Sequence, residues 1–240
     1  MRRLSFSGRN NFLLMLAAHS RLVVGRLLLF GGGGVKVGVI QGSSQAGKNG
    51  VLFRCTQQAA GPLGHEVVNF GAFPGEAEAY SYVETAVLVS MLLVSGAVDF
   101  VVTGCSSGQG MMLCCNSLPG VLCGYVPTPQ DAFLFGRING GNAASLPLGL
   151  GFGWLGELNL QYTLEKLFAG DFGCGYPPEE AGRKRRDTAL VKELGAITKG
   201  GAERFARYPA GLMEKARKRK NVMEYIRQYG DGTGVLWNGY

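Results

Sequence analysis

The residues with the clearest potential for chemistry lie between Val98 and Met112. A short apolar pattern, Phe100–Thr103, predicts a buried strand that runs directly into a glycine-rich loop, and Cys105 stands where that loop begins. In open α/β sheets, ligands bind at the carboxyl ends of the strands. The glycines of the loop allow tight turns and let backbone N–H groups point into a pocket. A thiol beside such donors can become a thiolate, which acts as a base or a nucleophile.

The other cysteines suit a structural role. Most cysteines are buried hydrophobic residues, and we expect this of Cys114, Cys115 and Cys123. The six cysteines show no CxxC spacing and the chain has two histidines, His19 and His65, so neither a metal site nor a cofactor is predicted. Cysteines without paired spacing favour reduced thiols in a cytosol-like compartment.

A second glycine-containing loop follows the first predicted strand, Val35–Ile40. The segment Gly42–Asn49 nearly forms a P-loop, with Gly, four residues and then Gly-Lys. A P-loop next requires Ser or Thr, whose hydroxyl binds Mg²⁺, and Asn49 stands there instead. Because the segment lies at the carboxyl end of a predicted strand, near Cys105, we favour a loop that contacts a small-molecule substrate, with a nucleotide-binding loop as a weaker alternative. The structural alternative is a turn and helix cap made by Ser43 and Ser44.

Strand patterns alternate with helical patterns along the chain, which predicts right-handed crossovers and a parallel sheet. The expected fold is a Rossmann-like three-layer α/β/α domain with a five-stranded parallel sheet and a C-terminal helical extension. We divide the chain into a basic leader at 1–34, an α/β domain at 35–176 and a basic extension at 177–240. The expected strands are Val35–Ile40, Glu66–Phe70, Phe100–Thr103, Val121–Tyr125 and Ala143–Leu146, and the expected helices are Gln45–Ala60, Tyr80–Gly96, Met111–Ser117, Pro129–Asn139, Phe152–Phe168, Glu179–Leu194 and Met213–Tyr229.

The formal net charge of +7 is unevenly distributed. Residues 37–182 carry four basic and eleven acidic side chains, whereas residues 183–240 carry fourteen basic and six acidic ones. The predicted catalytic domain is therefore acidic, which argues against a nucleic-acid-binding core. The basic C-terminal segment either contacts an anionic ligand or forms solvated helix faces. No continuous apolar run is long enough for a membrane span.

The leader is rich in Arg and Ser, lacks acidic residues and ends in the glycines Gly31–Gly34. This composition is typical of organelle transit peptides, although a disordered or non-native leader fits equally well. We expect a cytoplasmic protein, or an organellar one if the leader is a transit peptide. In either case the leader should be dispensable for folding.

The loop from Cys105 to Met111, Cys-Ser-Ser-Gly-Gln-Gly-Met, resembles the Cys-Gly-Thr-Gly-x-Gly-Met loop of the ribose-5-phosphate isomerase B family. That family includes the galactose-6-phosphate isomerase subunits. Further matches follow in the same order between about residue 35 and residue 180. They are Gly42–Gly47 against Gly-Ser-Asp-His-Ala-Gly, Gly64–Val67, Phe70-Gly71, Asn116, Pro119-Gly120, Asp131-Ala132, Asn139 and Asn142.

The resemblance implies an aldose–ketose isomerase acting on a sugar or sugar phosphate, a pentose or hexose phosphate among them. Such an enzyme moves a proton between C1 and C2 of the open-chain sugar through an enediolate. Cys105 would be the base, and the N–H groups of Ser107–Gly110 would form the anion hole. The hydroxyl of Ser107 would replace that of the family's threonine, and Asn139 would hold a substrate hydroxyl. The other expected substrate contacts are Ser43, Ser44, Gln45, Ser106, Gly108, Gln109, Gly110, Asn116 and Arg137.

Two positions depart from the family pattern. Gln45 and Ile138 stand where the family has histidines, and the second of these histidines is thought to help open the sugar ring. Either the substrate arrives open, another group such as Ser44 serves, or the activity differs.

The phosphate site departs as well, because the family's arginines have no counterpart in Gly173–Pro178. Arg137 and the basic run 183–186 are the nearest candidates, although such a run is also typical of a solvated helix face. The expected partners are a small-molecule sugar and further copies of the chain, as a homodimer or tetramer. A dimer would cover apolar positions of the C-terminal helices, namely Leu190, Val191, Leu194, Met213, Val222 and Tyr225.

A non-catalytic sugar- or metabolite-binding protein is the second hypothesis, since the loop could persist after the histidines are lost. The reactivity of Cys105 separates the two: an accessible thiolate supports catalysis, and an inert thiol supports binding alone.

Overall fold

The structure, a computed structural model, describes residues 34–231. Its five strands are β1 (Lys36–Ile40), β2 (Glu66–Gly71), β3 (Phe100–Cys105), β4 (Cys123–Tyr125) and β5 (Ala143–Pro147). They form one sheet in the order β2-β1-β3-β5-β4, and every neighbouring pair is parallel. The expected Rossmann-like α/β fold is confirmed, and β3 is its central strand.

Helices connect the strands and continue beyond the sheet. They are α1 (Asn49–Ala60), α2 (Tyr82–Val94), α3 (Gln109–Asn116), α4 (Pro129–Leu134), α5 (Gly156–Phe168), α6 (Ala181–Lys199), α7 (Ala210–Arg217) and α8 (Lys220–Tyr229). Shorter 3₁₀ segments are Ser43–Lys48, Gly61–Leu63, Pro178–Glu180 and Ala202–Arg207, and a π-helical turn, Phe135–Asn139, follows α4.

The core has two clusters, one on each face of the sheet. Helices α2, α3, α7 and α8 cover one face, and α1, α4 and α5 cover the other. The side chains of β3 alternate between these two clusters. Val101 and Cys105 belong to the first cluster, and Phe100 and Val102 belong to the second. Cys105 therefore faces the layer that contains α2 and α3.

The chain after β1 does not enter a regular α-helix at Gln45, as expected from the sequence. Ser43–Lys48 forms a 3₁₀ segment, in which Gln45 has non-helical angles of φ −121° and ψ 25°, and α1 begins at Asn49. The hydrogen bonds that the side chains of this segment make to neighbouring loops account for the departure.

The predicted helix Met213–Tyr229 is broken in two at Arg219, whose ψ of 77° is not helical. Its guanidinium Nη1 donates to Glu76 Oε2 at 2.6 Å, and Nη2 donates to the carbonyl of Phe70 at 2.5 Å. Lys215 forms a second ion pair with Glu78. The C-terminal extension is thus fixed to the loop that follows β2.

The apolar positions of the extension have two different surroundings. Met213 and Val222 are buried in the core of the same chain, and Tyr225 packs edge-on against Phe70. For these residues the expected need for a second copy is wrong, because α7 and α8 lie on the sheet layer. On α6, Leu190, Val191 and Leu194 are exposed.

The expectations about the leader concern residues 1–33, which lie outside the described residues, and so the leader's role stays a prediction. Among the helices that the structure describes, none combines the length and apolar character needed to cross a membrane.

Candidate active site

Cys105 is the last residue of β3 and lies at the carboxyl edge of the sheet, between the ends of β1 and β5. Cys105 is 8% exposed, so it is close to the surface but largely enclosed. Its carbonyl accepts a hydrogen bond of 3.0 Å from Leu148 N–H, which extends the pairing of β3 with β5. The backbone of Cys105 is therefore fixed on a rigid strand.

The loop after Cys105 turns directly into α3. Gly108 precedes the helix with a φ of +74°, and a Cβ there would lie 2.8 Å from the ring of Tyr125. Only glycine fits this turn without displacement. The Ser107 hydroxyl accepts a hydrogen bond of 3.3 Å from Gln109 N–H. The next N–H groups of the first turn of α3, starting with Gly110, have no partner within the helix and carry partial positive charge. Negative charge is therefore favoured beside Cys105.

The Ser43–Lys48 segment is joined to this loop by side chains. Gln45 Nε2 donates to Ser106 Oγ at 2.8 Å, and Ser44 Oγ lies 3.5 Å from the same oxygen. The backbone contributes as well, since Gly42 N–H donates to the carbonyl of Gly104 at 3.1 Å. The structure thus brings Ser44, Gln45 and Ser106 together at the edge where Cys105 lies.

Ser43 is held by Tyr80, a residue that the sequence reasoning did not identify. Ser43 Oγ accepts a hydrogen bond of 2.8 Å from Tyr80 N–H, and Ser43 N–H donates to the carbonyl of Tyr80 at 2.9 Å. The ring of Tyr82 lies nearby, 3.5 Å from where a Cβ on Gly110 would be. No motif marked these tyrosines, because they lie at the start of a helix, where aromatic residues have many structural uses.

The P-loop alternative fails on the surroundings of Asn49. Its side chain is buried, and its Nδ2 donates to Gln41 Oε1 at 3.1 Å and to Asn69 Oδ1 at 3.0 Å. Asn49 has no hydroxyl for Mg²⁺, and its amide is used within a buried network, so this position lacks the metal-binding group of a P-loop.

Asn116 forms its side-chain hydrogen bonds with Cys123, at the start of β4. Its Nδ2 donates to the carbonyl of Cys123 at 2.8 Å, and its Oδ1 accepts from Cys123 N–H at 2.9 Å. Both amide groups are therefore used to fix the start of β4 to the end of α3. These hydrogen bonds give Asn116 a structural role, and its expected substrate contact stays a prediction.

Arg137 and Asn139 lie at the opposite, amino edge of the sheet in the turn before β5. Arg137 is buried, and it donates to the carbonyls of Ala169 at 2.5 Å and Leu167 at 3.3 Å, where α5 ends. Burial lowers the pKa of its guanidinium. Within one protomer neither residue reaches Cys105, because α4 and the π turn carry the chain across the full height of the sheet.

The basic run 183–186 begins α6, on the side of that same π turn. Arg183 pairs with Glu180 and Asp187, and Arg185 donates to the carbonyl of Cys174 at 2.9 Å. These contacts favour the solvated-face interpretation over a phosphate site beside Cys105.

The remaining cysteines of the α3 region behave as hydrophobic residues. Burial raises the pKa of Cys114 to about 11. A side-chain hydrogen bond with Cys123, together with burial, raises the pKa of Cys115. Cys115 and Cys123 are buried, as predicted, whereas Cys114 is partly exposed. Cys114 and Cys115 are therefore unsuited to act as bases near neutral pH.

A pocket of about 230 Å³ opens at the carboxyl edge, between the ends of β4 and β5 and the start of α5. Its wall is joined to the cysteine loop, because the N–H groups of Gly149 and Leu150 donate to the carbonyl of Ser106 at 3.0 and 2.7 Å. The side chains that line it are mostly apolar, with Tyr125, Asn159 and Thr163 as its polar members.

The chain is similar to proteins of known family in both sequence and structure. A family profile described as Ribose/Galactose Isomerase matches residues 51–166. A 4-deoxy-L-threo-5-hexosulose-uronate ketol-isomerase, solved with a tartrate, shares 38% identity over 83% of this chain and 95% of its own, with a TM-score of 0.79. A ribose-5-phosphate isomerase from Vibrio parahaemolyticus shares 38% identity over 86% of this chain and 98% of its own, with a TM-score of 0.81. The chain belongs to the ribose/galactose isomerase family.

Membership in the ribose/galactose isomerase family confirms the resemblance seen in the cysteine loop and supports isomerase activity on a sugar-like substrate. The type B ribose 5-phosphate isomerase of Trypanosoma cruzi, at 18% identity, covers 68% of this chain and 99% of its own with a TM-score of 0.56, which shows the shared fold alone. No curated protein matches the chain. Gln45 and Ile138 are the two positions that depart from the histidines of the family pattern. Gln45 lies beside the cysteine loop, and Ile138 lies at the opposite, amino edge of the sheet.

Proposed function

We propose that this member of the ribose/galactose isomerase family is an aldose–ketose isomerase in which Cys105 transfers the proton. The observation that carries the proposal is the position of Cys105, on the carboxyl end of the central strand and directly before the N-terminus of α3. A strand fixes the base, and the helix start stabilises negative charge next to it.

The chemistry follows from these two elements. The Cys105 thiolate would take the proton from the carbon next to the substrate carbonyl, and the electron pair of that C–H bond would move to the carbonyl oxygen to give an enediolate. The N–H groups at the start of α3 would stabilise this oxygen. Cys105 would then return the proton to the neighbouring carbon, while the hydroxyl of Ser107 moves a proton between the two oxygens.

The replaced histidines point to a substrate that is already open. A ribose or galactose phosphate is largely cyclic and needs a group that opens its ring, whereas Gln45 has no titratable group and Ile138 is apolar. A 4-deoxy-5-hexosulose-uronate, named for one of the structures at 38% identity, has a ketone at C5 and no hydroxyl at C4. Its aldehyde therefore lacks the hydroxyls that close five- and six-membered rings. Keto-uronates of this kind are the second substrate class that we propose, beside pentose and hexose phosphates.

Asn139 could act on substrate only if a second protomer brought it to Cys105, since the two residues lie at opposite edges of one sheet. We propose a homodimer, or a tetramer built from it, that uses the exposed apolar face of α6. Leu190, Leu194 and Ile197 of this face are 56%, 59% and 70% exposed. In sedimentation, Leu194→Glu should shift the assembly toward monomer, and a wild-type chain that stays monomeric at micromolar concentration would contradict this.

The experiment that tests the proposed activity is a substrate screen of the full chain. Aldose and ketose phosphates and 4-deoxy-5-hexosulose-uronate are each followed for interconversion by NMR, with solvent deuterium incorporation at the transferred carbon as evidence of proton transfer. Cys105→Ala is the control. Binding of these sugars without turnover, together with slow alkylation of Cys105, would favour the non-catalytic sugar- or metabolite-binding hypothesis instead.

A further inference from the structure

The described α/β domain contains few cations that could recognise an acidic substrate. Residues 37–182 have four, namely Lys48, Arg54, Arg137 and Lys166. Arg54 pairs with Glu157, and Arg137 binds the carbonyls at the end of α5. Lys166 is exposed in the last turn of α5, at the amino edge of the sheet. Of these four, Lys48 is left at the carboxyl edge without a carboxylate among the ion pairs of the described residues.

Lys48 is held at the mouth of the pocket by an aromatic ring. Its Nζ lies 4.0 Å from the ring centroid of Phe152, and Phe152 lines the 230 Å³ pocket beside the start of α5. A cation over a ring face is attracted by the ring's negative face, which limits the positions that the ammonium occupies. Its remaining N–H donors stay available to a ligand, since the ring accepts from one side only.

The pocket and Lys48 belong to the same edge as Cys105. Lys48 ends the 3₁₀ segment in which Gln45 bonds to Ser106, the residue after Cys105. Gly149, which begins the pocket-lining loop, donates to the carbonyl of Ser106 at 3.0 Å. Two independent contacts thus connect Lys48 and the pocket to the cysteine loop. No charged side chain lines the pocket itself, so Lys48 supplies positive charge at its rim.

We propose that Lys48 binds the anionic group, phosphate or carboxylate, of the substrate whose carbonyl end lies at Cys105. The proposal rests on the proposed isomerase function and names the group that this site recognises. It accounts for the Gly47-Lys48 pair that resembled part of a P-loop, and for the loss of arginines from Gly173–Pro178. An ammonium is a compact point charge, so it suits a phosphate and a carboxylate equally.

The first test compares each acidic sugar with a neutral counterpart, ribose 5-phosphate with ribose and a uronate with the matching aldose. Lys48→Met should raise KM for the acidic sugar by about 10- to 100-fold and change kcat less, because the contact is equal in ground and transition states. Turnover of the neutral sugar should not change. Lys48→Arg keeps the positive charge and should retain most of the affinity for the acidic sugar. Lys166→Met removes the same charge at the other edge of the sheet and should leave KM unchanged.

The second test needs no turnover. Alkylation of Cys105 by iodoacetamide is followed by mass spectrometry, with inorganic phosphate added in one series and tartrate in the other. The anion that protects the wild type better identifies phosphate or carboxylate as the preferred group. Lys48→Met should need about tenfold more of that anion for equal protection, and Lys166→Met should match the wild type.

The outcomes separate this site from the proposed activity. Equal protection in the wild type and Lys48→Met, or no protection of the wild type by either anion, would overturn the role of Lys48. Lys48-dependent protection in a chain that interconverts none of the sugars would remove the isomerase proposal and retain the anion site. Unchanged KM of Lys48→Met for an acidic substrate would retain the isomerase and remove the site.

Discussion

The amide of Gln45 donates a hydrogen bond of 2.8 Å to the hydroxyl of Ser106, and thereby joins the segment after β1 to the cysteine loop after β3. The two loops come from adjacent strands, and Ser106 follows the proposed base directly. A substitution of Gln45 should therefore weaken substrate binding more than it lowers the stability of the fold.

We expect Gln45→Ala to raise KM several-fold and to leave the free energy of unfolding within about 1 kcal/mol of the wild type, because one partly exposed hydrogen bond is lost. Steady-state kinetics and urea unfolding measure the two effects. Gln161→Ala, which removes a side-chain hydrogen bond to Glu165 on α5, serves as the control. If kcat fell strongly with KM unchanged, Gln45 would have a role in the chemical step instead.

Cys105→Ser should fold normally and lose about 10²–10⁴-fold in isomerisation rate, since a hydroxyl fills the same space but is a far weaker acid than a thiol. Ser107→Ala should cost less than Cys105→Ser, because the base remains and the N–H groups at the start of α3 still stabilise the enediolate. The rates come from the sugar screen, and circular dichroism checks the fold. Full turnover by Cys105→Ser would exclude Cys105 as the base.

The stability of the protein should fall as pH drops below about 6.5, the ordinary pKa of histidine, because burial lowers the pKa of His65. Its Nδ1 accepts a hydrogen bond of 3.4 Å from Val35 N–H, which requires the neutral ring. The unfolded chain binds the proton more readily, so protonation favours unfolding until pH passes the lowered pKa of the folded state.

His65→Gln removes this titration and should flatten that part of the profile. Urea midpoints between about pH 7.5 and pH 5 measure it. A His65→Gln profile parallel to that of the wild type would show that other groups cause the decline.

Arg219→Met should lower the free energy of unfolding by about 3–5 kcal/mol, since it leaves Glu76 without its buried partner. The Phe70 carbonyl also loses one of its two side-chain donors and retains Asn221. The Arg219 side chain is 8% exposed and that of Glu76 is 25% exposed. Lys218→Met is the matched control, because its ion pair with Glu214 lies in solvent and should contribute less than about 1 kcal/mol. Equal losses for the two variants would contradict a special role for Arg219.

The sheet could be predicted from the sequence because its strands are short apolar runs bounded by glycine or helical patterns. The run Phe100–Thr103 was predicted as a strand that leads into the cysteine loop. The observed strand starts at the same residue and ends two residues later, because Cys105 still pairs with Pro147. Local pattern and tertiary structure agree here, because a strand buried on both faces tolerates little besides apolar residues.

The roles of Arg137 and Asn116 could not be obtained in this way. Motif order along the chain does not reveal which edge of the sheet a turn occupies, nor that Nδ2 and Oδ1 of Asn116 both bond to Cys123. The same limit applies to Lys48 and Phe152, which are distant in sequence and meet only after the loops of β1 and β5 reach one edge. Side chains that satisfy backbone groups resemble ligand contacts until the fold supplies their partners.

The contact between Arg219 and the carbonyl of Phe70 spans 149 positions of the chain, which has a consequence for its synthesis. A ribosome produces the loop that carries Glu76 and Tyr80 long before it produces Arg219, and domains form as their parts emerge. Until Arg219 has emerged, Glu76 lacks the guanidinium that neutralises it. Tyr80 can already donate its hydrogen bond to Ser43 at that stage. A chain truncated before Arg219 would thus contain every residue of the proposed catalytic loop and still lack the ion pair that fixes the segment carrying Glu76.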